Sequence, residues 1–453
     1  MNTKLRLTIL SFLQFFIWGS WLLTIGAYWF QNKHWSGAQF GAIFSTMGIA
    51  SIFMPSLMGI VADKWVNAEK LYGVLHIMGG IVLCTVPMVS DPGTMFWVML
   101  LNMIFYMPTL ALSIAVSYSV LKKEGYDVQT AYPPIRVWGT IGFIVALWTV
   151  SLLGFETSAS QFYVAAGAAF VLGLYSFTLP ACPPQLKASE GKSLTNALGL
   201  KSFLLFRDPK MATFFLFTLL LGAALQLTNA YGDTFLHDLA DKTAFPALPP
   251  VSDFASFINL LRLLLSHPSD TLHILAARYP AIIMSISQIS ETLFILAIPF
   301  FLRRFGIKQV MLFSMLAWVL RFGLFALGNL NSELWMIIAS CIIYGMAFDF
   351  FNISGSLFVE TQTAPEIRAS AQGLFMMMTN GFGAVLGSSI SGLVIQHYFT
   401  LADGTKDWHG IWLTFAAYSL VIAVLFVVFF RHQHTVQPSE TMAAEPLLTM
   451  EQA

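Results

Sequence analysis

Four charged side chains fall deep inside long apolar stretches of this chain: Arg136, Glu291, Arg321 and Asp349. Each costs roughly 2.5–3.5 kcal/mol at the centre of a membrane helix on insertion scales, so each demands a reason. Arg136, Thr140 and Phe143 stand at i, i+4 and i+7, which puts a cation, a hydroxyl and a ring on one helical stripe. Gln226 and Asn229, three apart and flanking Thr228, supply two amides that can read a base edge or sugar hydroxyls. Gln288 and Glu291 repeat that spacing, with Ser285 one turn earlier. Tyr344, Phe348 and Asp349 set aromatic rings beside a carboxylate, a combination suited to a flat, hydroxylated solute. Counting about 1.5 Å per residue from position 279 places Glu291 roughly 18 Å deep, near a bilayer midplane. Desolvation there disfavours the charged carboxylate, which makes Glu291 a candidate proton carrier.

Structural roles compete with these. Arg136 can snorkel to the nearby interface, the amides can bond helix to helix, and Glu291 can sit in a static ion pair with Arg136 or Arg321. Arg321 itself reads as a structural pairing partner, and Phe350 and Phe351 as lipid-facing bulk. Catalysis finds little support: among nine histidines only His76 lies well inside a span, no HxxxH box accompanies it, and no Ser/His/Asp set converges. No CxxC metal spacing exists, and Cys84, Cys182 and Cys341 suggest no disulfide framework.

The elements that must hold these residues are transmembrane helices. A composition 57% hydrophobic and only 10% charged excludes a soluble protein, and zero formal charge argues against nucleic acid as a partner. Apolar windows of about 20 residues predict twelve spans. The first six are 8–30, 39–62, 70–89, 95–120, 131–153 and 160–180. The second six are 211–231, 279–302, 309–328, 333–358, 369–396 and 409–430. With the N-terminus inside, cytoplasmic segments carry 16 Lys and Arg and outer segments 5, which favours an N-in, C-in arrangement. Lys4 and Arg6 before an apolar run resemble a signal peptide, but no small-residue cleavage site follows, so the run reads as a retained first helix.

Residues 1–180 and 211–430 thus read as two six-helix halves joined by a cytoplasmic connector at 181–210, with a cytoplasmic tail at 431–453. The outlier is 233–278, too polar and broken to span, whose short apolar run at 257–265 suggests a surface helix outside the cytoplasm. Gly381, Gly383, Gly387 and Gly392 mark close helix packing in the eleventh span. Gly59-Ile60-Val61-Ala62-Asp63-Lys64, echoed at 299–306, resembles the loop motif of the major facilitator superfamily.

Longer stretches sharpen that resemblance. SFLQFFIWGSW (11–21), GIVADKW (59–65), YMPTL (106–110), PPIRVWGTIGF (133–143), SQISETLFIL (287–296) and FDFFNISGS (348–356) resemble the bacterial nucleoside permeases, the nucleoside:H+ symporter family. The resemblance runs from residue 3 to about 430. It implies a twelve-helix symporter in a bacterial inner membrane, taking nucleosides such as uridine into a central cavity by alternating access. The implied solute contacts are Arg136, Thr140, Phe143, Gln226, Asn229, Gln288, Glu291, Tyr344, Phe348 and Asp349. Protons would couple through Glu291 and/or Asp349, with no cofactor, metal or obligate protein partner. The loop between the seventh and eighth spans is longer than expected. A same-fold transporter of another polar solute such as a sugar, or an uncoupled nucleoside facilitator, remains the alternative.

Overall fold

A computed structural model describes residues 2–184, 200–240, 251, 253–266, 270–364 and 367–431. Much of the connector at 181–210, part of the segment 233–278 and nearly all of the tail lie outside those residues. Among the described residues, nine helices are long and apolar enough to cross a membrane, and no strand longer than an isolated bridge forms. Their outward faces are apolar: Leu293, Leu296, Phe300, Val421, Val424 and Val428 are all exposed. Such a surface aggregates in water and is at home in lipid.

Local sequence sets the helix ends. Ser36 and Gln39 form a reciprocal capping box that starts Gly37–Lys64. Asp91 accepts from the Thr94 N–H at 2.8 Å, and Pro92 opens the helix Pro92–Lys123, where a missing N–H costs nothing. A continuous run from Pro280 to Leu327 is broken at Gly306, whose φ of 77° and ψ of 170° only glycine adopts readily. The run is therefore two helices, 280–305 and 307–327, as the separate eighth and ninth spans require. Two further apolar helices, Thr3–Gly19 and Ser160–Ser176, are 17 residues each.

Two boundaries differ from the sequence reading. The first span, read as 8–30, ends as a regular helix at Gly19; a turn over 20–24 leads to Ile25–Ala27 and a wide π turn, Tyr28–Asn32. Gly19 packs against the Phe143 carbonyl and Gly26 against the Ala230 carbonyl, so the chain bends to meet both halves. The seventh span, read as 211–231, runs on as Pro209–Ala240 because its polar end packs against protein, Asp233 and Thr234 buried and His237 half-buried. Beyond it lie Phe254–Ser266 and Thr271–Arg278. The first of these turns Leu260 inward and leaves Leu265 exposed.

The halves meet where small residues remove side chains. Gly41 faces the Ser388 carbonyl and Gly392, and Gly48 faces the Gly381 carbonyl. Within the second half, Gly383 and Gly387 pack on Gly222 and Ala223 of Pro209–Ala240, as the glycine spacing predicts. Hydrogen bonds between halves gather at the same end of the bundle: Trp148 Nε1 donates to Ser285 Oγ at 2.9 Å, and the Gly37 N–H to Gln396 Oε1 at 2.8 Å. This is the end read from sequence as extracytoplasmic.

Candidate functional site

Arg136 projects from Val128–Leu152, its guanidinium 4.0 Å from the centroid of Phe15. A cation held on a ring face keeps part of its desolvation cost offset without a counter-charge. It is half-buried, as is Thr140 one turn on, while Phe143 is buried where the first helix crosses. Arg136 lies within electrostatic reach of both Glu291 and Asp349. No ion pair within 4.0 Å, however, joins Arg136 or Arg321 to Glu291 or Asp349. The static ion pair that sequence allows for Glu291 does not form. Arg136 and the acids across from it are coupled through their charges without closing into an ion pair.

Asp349 is 5% exposed and its Oδ2 has no hydrogen-bond partner. A buried acceptor of this kind costs about 1–3 kcal/mol unless something satisfies it. Tyr344 and Phe348, one turn apart, lie nearly parallel at 6° with centroids 5.7 Å apart. The Tyr344 hydroxyl faces Gln288 and feels Glu291, Arg321 and Asp349. Arg136, Gln288, Glu291, Tyr344, Phe348 and Asp349 therefore form one cluster drawn from both halves.

Gln226 and Asn229 stand on the helix beside it. Gln226 is buried with Oε1 unpartnered, and Asn229 is half-buried. Neither they nor Thr140 and Phe143 hydrogen-bond by side chain to the cluster among the described residues. Arg321 is fully buried and structural in its contacts. It donates to the Ser340 carbonyl at 2.6 Å and to Thr228 Oγ1 at 3.4 Å, between the rings of Tyr344 and Phe325. The lipid-facing reading of Phe350 and Phe351 is wrong. Both are buried by ring packing between helices, Phe350 against Phe294 and Phe301 of helix 280–305, and Phe351 against Phe214 of Pro209–Ala240 and Phe375 of Arg368–Met376.

Sequence reasoning missed two polar networks. In the first, Gln14 accepts from Tyr72 Oη at 2.6 Å, meets His76 Nε2 at 2.9 Å and donates to Thr109 Oγ1 at 3.0 Å. Tyr106 Oη donates to its backbone carbonyl. This hub pins the first helix to Ala68–Thr85 and Pro92–Lys123, and so holds Phe15 beneath Arg136. In the second, His237 lies between Glu156 and Asp233; these three also form the one group of His, Cys, Asp or Glu among the described residues with metal-ligand spacing. The i, i+4 spacing of Asp233 and His237 was visible in sequence; Glu156, 81 positions away from His237 in the loop between Val128–Leu152 and Ser160–Ser176, was not.

Charged and aromatic groups converging between two helical halves, inside an apolar exterior, define a multi-pass membrane transporter of the major facilitator type. A family model described as nucleoside H+ symporter matches residues 1–435, and the chain belongs to that family. Xanthosine permease of Escherichia coli (strain K12) is 50% identical, covering 96% of this chain and 97% of that one. The nucleoside permease NupG of the same strain is 49% identical, over 97% and 99%. A crystal structure of the nucleoside transporter NupG aligns with a TM-score of 0.83 at 49% identity, covering 96% of this chain and 100% of that one. These relatives are transporters, and this chain is a transport protein rather than an enzyme.

Proposed function

We propose that this protein is a proton-coupled nucleoside importer of a bacterial inner membrane, built of twelve spans with both termini in the cytoplasm. Residues 1–180 and 211–430 would be its halves, 181–210 the connector and 431–453 a cytoplasmic tail. The observation that carries the reading is the charge set, with Arg136 on one half coupled to Glu291 and Asp349 on the other and no ion pair between them. A nucleoside suits that set chemically. Its base would stack on Tyr344 and Phe348, its polar edges meet Gln226, Asn229, Gln288 and Thr140, and its hydroxyls meet the carboxylates. Phe143 would close the floor. A proton on Glu291 or Asp349 relieves the repulsion between the half-buried and the buried acid, so protonation and solute loading favour one another. With both termini inside, contacts of the halves at the outer end favour an inward-facing reading of this conformation, and solute and proton would leave towards the cytoplasm. A ligand shifts such an equilibrium only by binding one state better; closure of both halves on the solute supplies that difference.

The test is labelled uridine uptake into proteoliposomes, with and without an inward proton gradient. Accumulation only with the gradient is expected. Glu291→Gln should lose accumulation while exchange of nucleoside across the membrane partly survives. Equal, non-concentrative entry in both conditions means an uncoupled facilitator. Competition by a hexose but not by unlabelled nucleosides moves the solute to a sugar.

A further inference from the structure

His237 stands one turn before the end of Pro209–Ala240, where the free carbonyl end of a helix favours a cation. Its Nε2 lies 2.8 Å from Glu156 Oε2, and its Nδ1 lies 3.3 Å from Asp233 Oδ2. Glu156 belongs to the first half and Asp233 to the second, so the imidazole bridges them. The acid from the first half is held firmly. Gln161 Nε2 donates to the Glu156 carbonyl at 2.9 Å, and Gln161 Oε1 accepts from Thr24 Oγ1 at 2.8 Å. Glu156 is 5% exposed and Asp233 1%. Glu156 Oε1 and both carboxylate oxygens of Asp233 have no hydrogen-bond partner, and His237 Nδ1 lies 3.1 Å from the backbone carbonyl oxygen of Asp233. Two buried carboxylates facing each other across a seam repel unless a positive charge lies between them. The other ionisable group facing the cluster is Tyr279, with Arg278 beside it; Asp238, one residue on from His237, turns to Trp408 and Lys406 instead.

We propose that His237, Glu156 and Asp233 form a protonation-dependent latch that holds the outer ends of the two halves together. With both ring nitrogens protonated, the imidazolium donates to the Glu156 carboxylate of the first half and sets its charge beside the Asp233 carboxylate of the second, and the outer face stays shut. Loss of one proton as the outer pH rises leaves two carboxylates with too little positive charge between them, and the seam loosens. The latch is remote from the solute cluster and lies beyond the coupling role given to Glu291 and Asp349, though it rests on the same reading of two halves that alternate.

The experiment measures the distance between spin labels at Leu153→Cys and Leu272→Cys, exposed positions at the outer ends of opposite halves, after Cys84, Cys182 and Cys341 are replaced by serine. In the reconstituted protein the short distance should dominate in mild acid, and a longer one should grow as pH rises. His237→Ala and Glu156→Gln should each raise the long-distance population about tenfold at acid pH, the ratio that 1.4 kcal/mol sets, and abolish its pH dependence. Glu156→Gln keeps the side-chain shape, so it reports even where His237→Ala folds poorly. An unchanged, pH-dependent distribution in Glu156→Gln overturns the latch. A short distance that needs added zinc and disappears with chelator overturns it too, and makes the cluster a metal site. Because the distance is read without solute, failed uridine uptake with an intact pH response would reject the nucleoside reading and leave the latch standing.

Discussion

The tightest crossing between the halves makes a quantitative prediction. A Cβ added at Gly41 would lie 2.3 Å from the Ser388 carbonyl oxygen and 3.0 Å from the Gly392 Cα. Carbon and carbonyl oxygen rest about 3.3–3.6 Å apart even in favourable contact, so Gly41→Ala forces the two helices about 1 Å apart. Neither obstacle is a flexible side chain; both are backbone. Overpacking of this kind costs about 1–3 kcal/mol, and the cost falls only on the state in which the halves touch here. The equilibrium should therefore move about 5–150-fold towards the state in which they part. The labelled pair described for the latch reads this directly as growth of the long distance, and uptake should slow because the return to the closed outer face becomes uphill. Gly59→Ala on the same helix is the control, since nothing lies within 4 Å of its added Cβ. It should change neither quantity. If Gly41→Ala, folded and reconstituted, matches Gly59→Ala, the crossing yields at no cost and the idea that backbone contact sets the closed state is refuted.

Two further outcomes follow from buried groups. Gln14→Leu should lower thermal stability in detergent by about 1–3 kcal/mol for each buried donor or acceptor left without a partner, and it should weaken solute binding because Phe15 no longer sits firmly under Arg136; unchanged melting would sink the hub. Gly306→Ala should cost about 1–3 kcal/mol from backbone strain alone, visible as a lower melting temperature with solute affinity unchanged, and an unaltered melting curve would argue that the break between the eighth and ninth spans is not forced.

Spans were legible in the sequence because lipid imposes a length: apolar runs of about 20 residues located the long helices such as Pro92–Lys123 and Leu334–Gln362 closely. The exceptions have local causes. The bend after Gly19 is set by contacts with residues 143 and 230, which no window reports. The extension to Ala240 depends on the packing of Asp233 and His237 against Glu156, a residue on the other half. Glu291 and Asp349 stood out because a charge in an apolar run is conspicuous by itself. Gln14 and His76 did not, since a neutral amide and one histidine look like ordinary polar interruptions until the fold brings Tyr72 and Thr109 to them. Phe350 and Phe351 misled for the reverse reason. A ring is equally at ease in lipid and in a helix interface, and only the neighbouring rings decide.

The crossing of Gly41 with Ser388 and Gly392 has a further consequence for energy conservation. A seam of main chain on main chain offers no gap wide enough for a file of water molecules, and protons travel along such files. If the acids of the central cluster carry protons as proposed, such a seam would insulate them from the compartment behind it. Closing it also immobilises no long side chain, so the barrier against leakage can form and dissolve in every cycle at little entropic cost. In a proton-coupled carrier, small residues here would keep the gradient from short-circuiting, a task for which bulkier and more polar seals are poorly suited.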